Sequence, residues 1–397
     1  MDLDSETREN EKWLATEWRY LGADWRGTRI LGEGAFGKAG LWEYRGDPAR
    51  APPLTEVVVK RTVINNFSGA EALDEGINMA LLAKFRSKHI LRMYGPPRRN
   101  ANVIHLFLEY CPGGDLGSFT GDYRPGGWLE ADLWAMFQCL VLGVSTMDHG
   151  SEDETVNFND MQIGHNDIKP SNIFMGYRGP EHARIPILKL ADFGESVQYP
   201  SKYQTGIVID SNGRPFHGRG DPQWQAPEMV QFFGDAAANP NQLLHSRKGT
   251  CSNIFQVGCV MHSLVTGARR NTYANPSEHR VSTCNANLLR GGTHGQDMED
   301  ARYAGYSQTL RELIMECMMR EPPLRPTSQQ AKERVASGLA FSLRAFATIL
   351  QFKTNKGLVD VPYRYVDPEP PEDLLVPEDE AVATEAATQA RQPAAGA

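Results

Sequence analysis

The segment His165-Asn-Asp-Ile-Lys-Pro-Ser-Asn172, with Asp192-Phe-Gly194 beginning twenty residues after Asn172, constrains this chain more than any other feature. It sets Asp167, Lys169 and Asn172 close together in one short stretch. Asp167 can accept a proton from a hydroxyl, Lys169 can hold a transferred phosphoryl group, and Asn172 can ligate a metal. Asp192 can ligate Mg²⁺ between nucleotide phosphates, because that ion takes oxygen ligands and commonly binds through a carboxylate plus phosphates. Each residue alone reads equally well as surface decoration. The Asp-x-Lys-x-x-Asn spacing with Asp-Phe-Gly behind it is a specific combination.

A second cluster lies upstream in Leu31-Gly-Glu-Gly-Ala-Phe-Gly-Lys-Ala39. Gly32, Gly34 and Gly37 let a backbone fold tightly over phosphate oxygens with its amides as donors. Glycine-rich turns are common, so this signal is weak alone. A dinucleotide-binding loop requires a following helix and an acidic residue about twenty positions on. Here Leu41 to Tyr44 continue as a strand and the next feature is the apolar Val57-Val-Val-Lys60, which disfavours that reading. Lys60, if it points inward, requires a counter-charge. Phosphates and a helix glutamate would supply one; a surface lysine at a strand end is the competing reading.

Of the 397 residues, 41% are hydrophobic and 23% charged, the balance of a globular protein. A net charge of -8 argues against binding nucleic acid by phosphate neutralisation and against docking on an anionic membrane. The acidic, polar start lacks the features of a secretory signal, and the six cysteines form no Cys-x-x-Cys pair. The expected setting is reduced and intracellular, cytoplasmic or nuclear. His149, His182, His217 and His245 have no metal-ligand spacing.

Residues 1–25 form an extension in which Trp13, Leu14, Trp18, Tyr20 and Leu21 suggest a short amphipathic helix docked on the main body. Short apolar runs around glycines follow from Arg29 to Tyr44. Strands are predicted at Leu54–Ile64 and Val103–Glu109, and a helix at Asp74–Phe85. Leu133, Met136, Phe137, Leu140, Val141 and Val144 keep helical spacing, with Glu130 and Asp132 in the first turn where the dipole favours acids. Gly150–Asp160 reads as a solvated polar insertion. Further helices are predicted at Ile254–Val265, at Gln308–Met319 and from Ser328 towards Leu350. The chain divides into a domain over 26–350, its smaller part about 26–110 and its larger about 111–350, and an acidic Pro/Ala-rich tail over 351–397 expected to be disordered.

Taken in order, Gly32-Glu-Gly-Ala-Phe-Gly37, Val57-Val-Val-Lys60, Leu108-Glu-Tyr-Cys-Pro-Gly-Gly-Asp-Leu116, the 165–172 segment, Asp192-Phe-Gly194, Ala226-Pro-Glu228 and Pro322-Pro-Leu-Arg-Pro326 resemble the eukaryotic protein kinase superfamily over roughly Arg29 to Leu350. The altered motifs and polar N-terminal block are similar to those of fungal kinases. The resemblance implies an α+β, bilobal protein-kinase fold, with a strand-rich N-lobe carrying one main helix and a larger helical C-lobe. It also implies ATP and Mg²⁺ as cofactors and a protein substrate with a Ser/Thr acceptor, since Lys169 stands two residues after the base.

Position by position, Asp167 matches the catalytic base, Lys169 and Lys60 the phosphate-stabilising lysines, and Asn172 and Asp192 the metal ligands. ATP-binding positions fall on Leu31, Gly32, Glu33, Gly34, Gly37, Ala39, Val58 and Phe174, with Ala39 and Val58 over the adenine face. Leu108 matches the gatekeeper, Glu109 and Cys111 offer backbone groups to adenine, and Asp115 matches a ribose contact. Glu228 is expected to pair with Arg325 as a structural ion pair.

The departures from the pattern are specific. Asn166 replaces the arginine that meets an activation-segment phosphate, and an amide cannot form that charged fork. Activity independent of phosphorylation between Asp192 and Glu228 is therefore expected, although Tyr199, Ser201, Thr205 and Ser211 offer acceptors. Counting back from His89 puts Asn78 where the helix glutamate belongs; Glu75, nearly one turn earlier on the same face, is the candidate partner for Lys60. Asp221 replaces a threonine, so one carboxylate near Asp167 has a raised pKa unless Lys169 neutralises both. Asn253 replaces an aspartate that holds the catalytic-loop backbone. Ala39 and Val58 exchange the sizes usual at two adenine-facing positions and conserve total volume. The leading reading is a Ser/Thr kinase. A pseudokinase scaffold competes on these departures, and a small-molecule kinase is a more distant alternative.

Overall fold

The computed structural model describes residues 3–16, 21–34, 37–64, 69–100, 102–119, 127–152, 161–200, 220–230, 250–267, 277–280 and 290–355. The described residues divide into two compact units, one built from 3–80 with 92–110, the other from 81–91 with 111–355.

In the first unit the β-branched run Glu56–Val63 forms the middle strand of a five-stranded antiparallel sheet. Its strands are β1 (Trp25–Gly34), β2 (Gly37–Tyr44), β3 (Glu56–Val63), β4 (Arg98–Asn100) and β5 (Val103–Leu108), in the order β1-β2-β3-β5-β4. Alternation divides the side chains of β3 between two faces. Val57 and Val59 join Trp13, Trp25, Trp42 and Phe107 in one buried cluster, so Val58 and Lys60 belong to the opposite face. Trp13 is carried by α1 (Leu3–Thr16), which lies on the sheet as the amphipathic pattern predicts; Trp18 and Tyr20 fall outside the described residues. The Trp13 and Trp42 rings meet edge to face with centroids 4.9 Å apart. Gly40 makes that approach possible, since a Cβ there would come within 2.6 Å of the Trp13 ring. The helix α2 (Gly69–Ala83) follows β3.

The second unit is mainly helical. Helix α3 (Leu116–Phe119) is a single turn, and α4 (Glu130–His149) is largely buried. Glu130 in its first turn accepts from the Trp134 indole at 2.9 Å and from the Ser307 amide at 2.7 Å. Gly150 ends the helix in the left-handed conformation, φ 77°. Two short antiparallel pairs hold the functional loops: β6 (Met161–Gly164) with β9 (Val197–Pro200), and β7 (Ile173–Met175) with β8 (Leu188–Leu190). After them come α5 (Pro227–Val230), α6 (Thr250–Thr266), the pair β10 (Ser277–Arg280) and β11 (Arg290–Thr293), α7 (Gln308–Cys317) and α8 (Ser328–Asn355). Gly338 lets α8 close on α4, because a Cβ there would meet the Trp134 ring at 2.5 Å. Helix α8 continues beyond the expected end at 350. Residues 153–160 of the polar insertion and 356–397 of the tail lie outside the described residues. Among the described residues, no helix is long and apolar enough to cross a membrane.

Candidate active site

In the first unit, β1 and β2 form a hairpin whose register pairs Gly32 with Ala39, Glu33 with Lys38 and Gly34 with Gly37. Gly37 has φ 120°, and a Cβ there would lie 2.1 Å from the Arg61 carbonyl oxygen, so the position admits only glycine. Glu33 forms a cross-strand ion pair with Lys38 at 2.9 Å, and Leu31 is exposed. On β3, Lys60 lies opposite Ala39 and Leu106, and Val58 opposite Leu41 and Leu108. Ala39 and Val58 therefore share the Lys60 face, as the size exchange requires. Glu109 is fixed by its backbone N–H to Arg92 O at 2.9 Å, while its carboxylate accepts from Arg92 N at 3.2 Å.

Lys60 Nζ donates to both oxygens of Glu75, at 2.7 and 2.9 Å. The side chains are 14% and 4% exposed, so the ammonium has the counter-charge that burial demands. Asn78, also on α2, is buried. Glu75 is thus the partner, one turn before the position obtained by counting.

In the second unit the segment after β6 gathers the polar groups. Asp167 Oδ2 accepts from Asn172 Nδ2 at 2.7 Å and lies 3.0 Å from Lys169 Nζ; Oδ1 accepts from the Asp221 backbone N–H at 2.8 Å. Both carboxylate oxygens are held, which fixes the group in rotation. Lys169 also lies 3.8 Å from Asp221 Oδ2, so one ammonium serves both carboxylates. Gly220, φ 79°, brings the Asp221 amide in; a Cβ there would strike Asn166 O at 2.2 Å. Because Asn172 commits its nitrogen to Asp167, its oxygen is the side-chain atom that could ligate a metal. Asp192 sits at φ 62°, ψ 72°, a left-handed turn leading into Phe193–Glu195. Two oxygen donors of this kind fit Mg²⁺.

Neighbouring side chains brace this loop. His165 is buried, which pushes its pKa below the ordinary value despite nearby Asp167 and Asp192. The neutral ring donates from Nε2 to Ala191 O at 3.0 Å and accepts at Nδ1 from Asp167 N at 3.4 Å. Asn253 accepts from His165 N and donates to Ile163 O, both at 2.8 Å. A carboxylate could not make the second bond, so the substitution exchanges charge for a second tether. Gln256, three residues along α6, accepts from Ile168 N at 3.3 Å and donates to Asn166 O at 3.0 Å. Its spacing from Asn253 on one helix face was the available signal, and the motif reading passed over it. Asn166 Nδ2 donates to Glu195 O at 2.9 Å, tying the loop to the turn after Asp192 without a phosphate. Of the segment's acceptors, Tyr199 is buried; Ser201, Thr205 and Ser211 fall outside the described residues.

Asp115 accepts from Ser118 N at 2.8 Å and from Ser118 Oγ at 2.7 Å, capping α3, and bridges to Phe174 of β7. Cys111 O accepts from Gly114 N at 3.1 Å. Glu228 and Arg325 form a bidentate pair with both bonds at 2.7 Å, 5% and 0% exposed.

A strand-rich unit with a lysine–glutamate pair, and a helical unit whose loop holds an aspartate between a lysine and an asparagine, define a protein kinase scaffold. Residues 25–335 match the protein kinase domain, and the chain belongs to that family. It is similar to serine/threonine-protein kinase Nek9 of Xenopus laevis, 26% identical over 77% of this chain and 26% of the relative. It is similar also to mitogen-activated protein kinase kinase kinase ANP1 of Arabidopsis thaliana, 24% identical over 83% of this chain and 44% of the relative. Cytokinesis protein sepH of Emericella nidulans is 23% identical over 76% of this chain and 18% of the relative. The chain thus spans less than half the length of these relatives.

Proposed function

We propose that this chain is an ATP-dependent protein serine/threonine kinase that transfers the γ-phosphoryl group to a protein hydroxyl. The observation that carries this reading is the fixed Asp167 carboxylate, bonded by Asn172 and the Asp221 amide with Lys169 at 3.0 Å. A scaffold has no chemical need of that arrangement. Asp167 orients the acceptor hydroxyl and takes its proton. Lys169 stabilises the phosphoryl oxygens and keeps Asp167 and Asp221 from repelling each other. Lys60, positioned by Glu75, holds the donor's phosphates, and Gly32, Gly34 and Gly37 let backbone amides approach them. Asn172 and Asp192 would hold Mg²⁺, which supplies neutralisation of phosphate charge. Catalysis of this kind is positioning and electrostatics. The Asn166–Glu195 bond supports activity without activation-segment phosphorylation.

The test is Mg·ATP turnover on a generic Ser/Thr protein substrate and by autophosphorylation, before and after phosphatase treatment, with Asp167→Asn and Lys60→Met as controls. The expected result is turnover that survives phosphatase and disappears in both controls. No turnover alongside measurable nucleotide binding would replace this reading with a pseudokinase scaffold.

A further inference from the structure

Three side chains distant in sequence converge in the second unit, away from the catalytic loop. His89 lies in the segment after α2, Cys139 on the buried side of α4, and His182 in the turn between β7 and β8. One ligand-type atom from each residue lies within 4.8 Å of the others. Cys139 Sγ is 3.8 Å from His182 Nδ1, and the two imidazole rings meet edge to face with centroids 5.8 Å apart. Cys139 is 1% and His89 4% exposed, while His182 is partly exposed.

Glu152 fixes the direction of His89. Its Oε1 accepts from His89 Nδ1 at 2.9 Å, and the same oxygen bonds the Ser87 hydroxyl. His89 Nε2 is thereby turned away from the carboxylate; it is buried and left to face the Cys139 thiol. A carboxylate on one ring nitrogen with the other turned toward the cluster is the outer-shell arrangement of metal-binding histidines. Cys139 Sγ supplies the sulfur donor, which binds metals as thiolate.

We propose that His89, Cys139 and His182 form a binding site for Zn²⁺, with Glu152 as the positioning residue for His89. Tetrahedral Zn²⁺ with bonds of about 2.3 Å to sulfur and about 2.05 Å to nitrogen separates those donors by about 3.6 Å. The Cys139–His182 distance of 3.8 Å needs almost no adjustment. Two imidazoles and a thiolate suit this borderline-soft cation, and the partly exposed side at His182 leaves its fourth position to solvent. Binding the cation releases the Cys139 thiol proton to solvent. It would pin the segment after α2, α4 and the β7–β8 turn to one another.

The experiment titrates Co²⁺ alone into the chelator-stripped full chain. The expected result is one equivalent bound, with sulfur-to-cobalt charge transfer and tetrahedral ligand-field bands, displaced by Zn²⁺. Cys139→Ala abolishes the charge-transfer band. His182→Ala, at a partly exposed position where folding is not at stake, weakens binding by more than about 100-fold, and Glu152→Gln by about 10-fold. Zn²⁺ raises the melting temperature of the natural chain and leaves that of Cys139→Ala and His182→Ala unchanged. Absence of the charge-transfer band in the natural chain, or Co²⁺ affinity unchanged in folded His182→Ala, overturns the proposal.

Discussion

Lys60 takes Glu75 rather than the position of Asn78 because of how α2 ends. Counting back from His89 assumes a fixed connection, but the helix stops at Ala83 and Arg86 turns through a left-handed conformation, φ 51°. The longer connection moves the helix by three residues, nearly one turn, so the same face still meets Lys60. Glu75 is buried and Lys60 largely so, and a hydrogen bond to a charged partner is worth about 1.5–3 kcal/mol. Glu75→Gln keeps the volume and removes the charge. It is expected to lower Mg·ATP turnover by about 10- to 100-fold, read from steady-state rates on a protein substrate. Unchanged turnover in that variant would mean that Glu75 does not position Lys60 for transfer.

At the scale of elements, α1 is part of the sheet's packing. Trp13 fills the cluster of Trp25, Trp42, Val57, Val59 and Phe107. Trp13→Ala should cost about 3–5 kcal/mol by the usual loss for a buried aromatic. The Trp13 indole nitrogen is buried with no acceptor among the described residues, so Trp13→Phe gives up no hydrogen bond and should cost far less. Thermal melts of the two variants check this, and equal melting of Trp13→Ala and the natural chain would rule out a packing role. This helix was legible only in part: of the residues whose pattern suggested it, the adjacent Trp13 and Leu14 lie within it, while Leu21 lies beyond its end. Strands β3 and β5 were legible from their β-branched runs, and the loop from its motif. The pairs β6–β9 and β7–β8 were not, since three or four residues carry no period. Nor was the His89–Cys139–His182 cluster, whose members come from three separate elements. His182 was set aside for lack of local spacing, and only the fold brings it to the other two.

For the whole molecule, the Glu228–Arg325 pair ties residues 97 positions apart within the second unit. Arg325 donates to both Glu228 oxygens and to the carbonyls of Met319, Cys251 and Arg320, using all five of its N–H groups. Arg325→Lys keeps the charge but offers three donors, so it should destabilise nearly as much as Arg325→Met. Removing the arginine strands a buried carboxylate, at about 3–5 kcal/mol. Glu228→Gln combined with Arg325→Met removes that charge and should recover part of the loss. Trp13 and Arg325 lie in different units, and substitutions without shared partners add within about 0.5 kcal/mol. Calorimetry of Trp13→Ala, Arg325→Met and the double variant is expected to give two transitions, each variant moving its own, with additive shifts in the double. A single transition moved equally by either substitution would mean that the units unfold as one, with the pair's free energy spread over the entire domain.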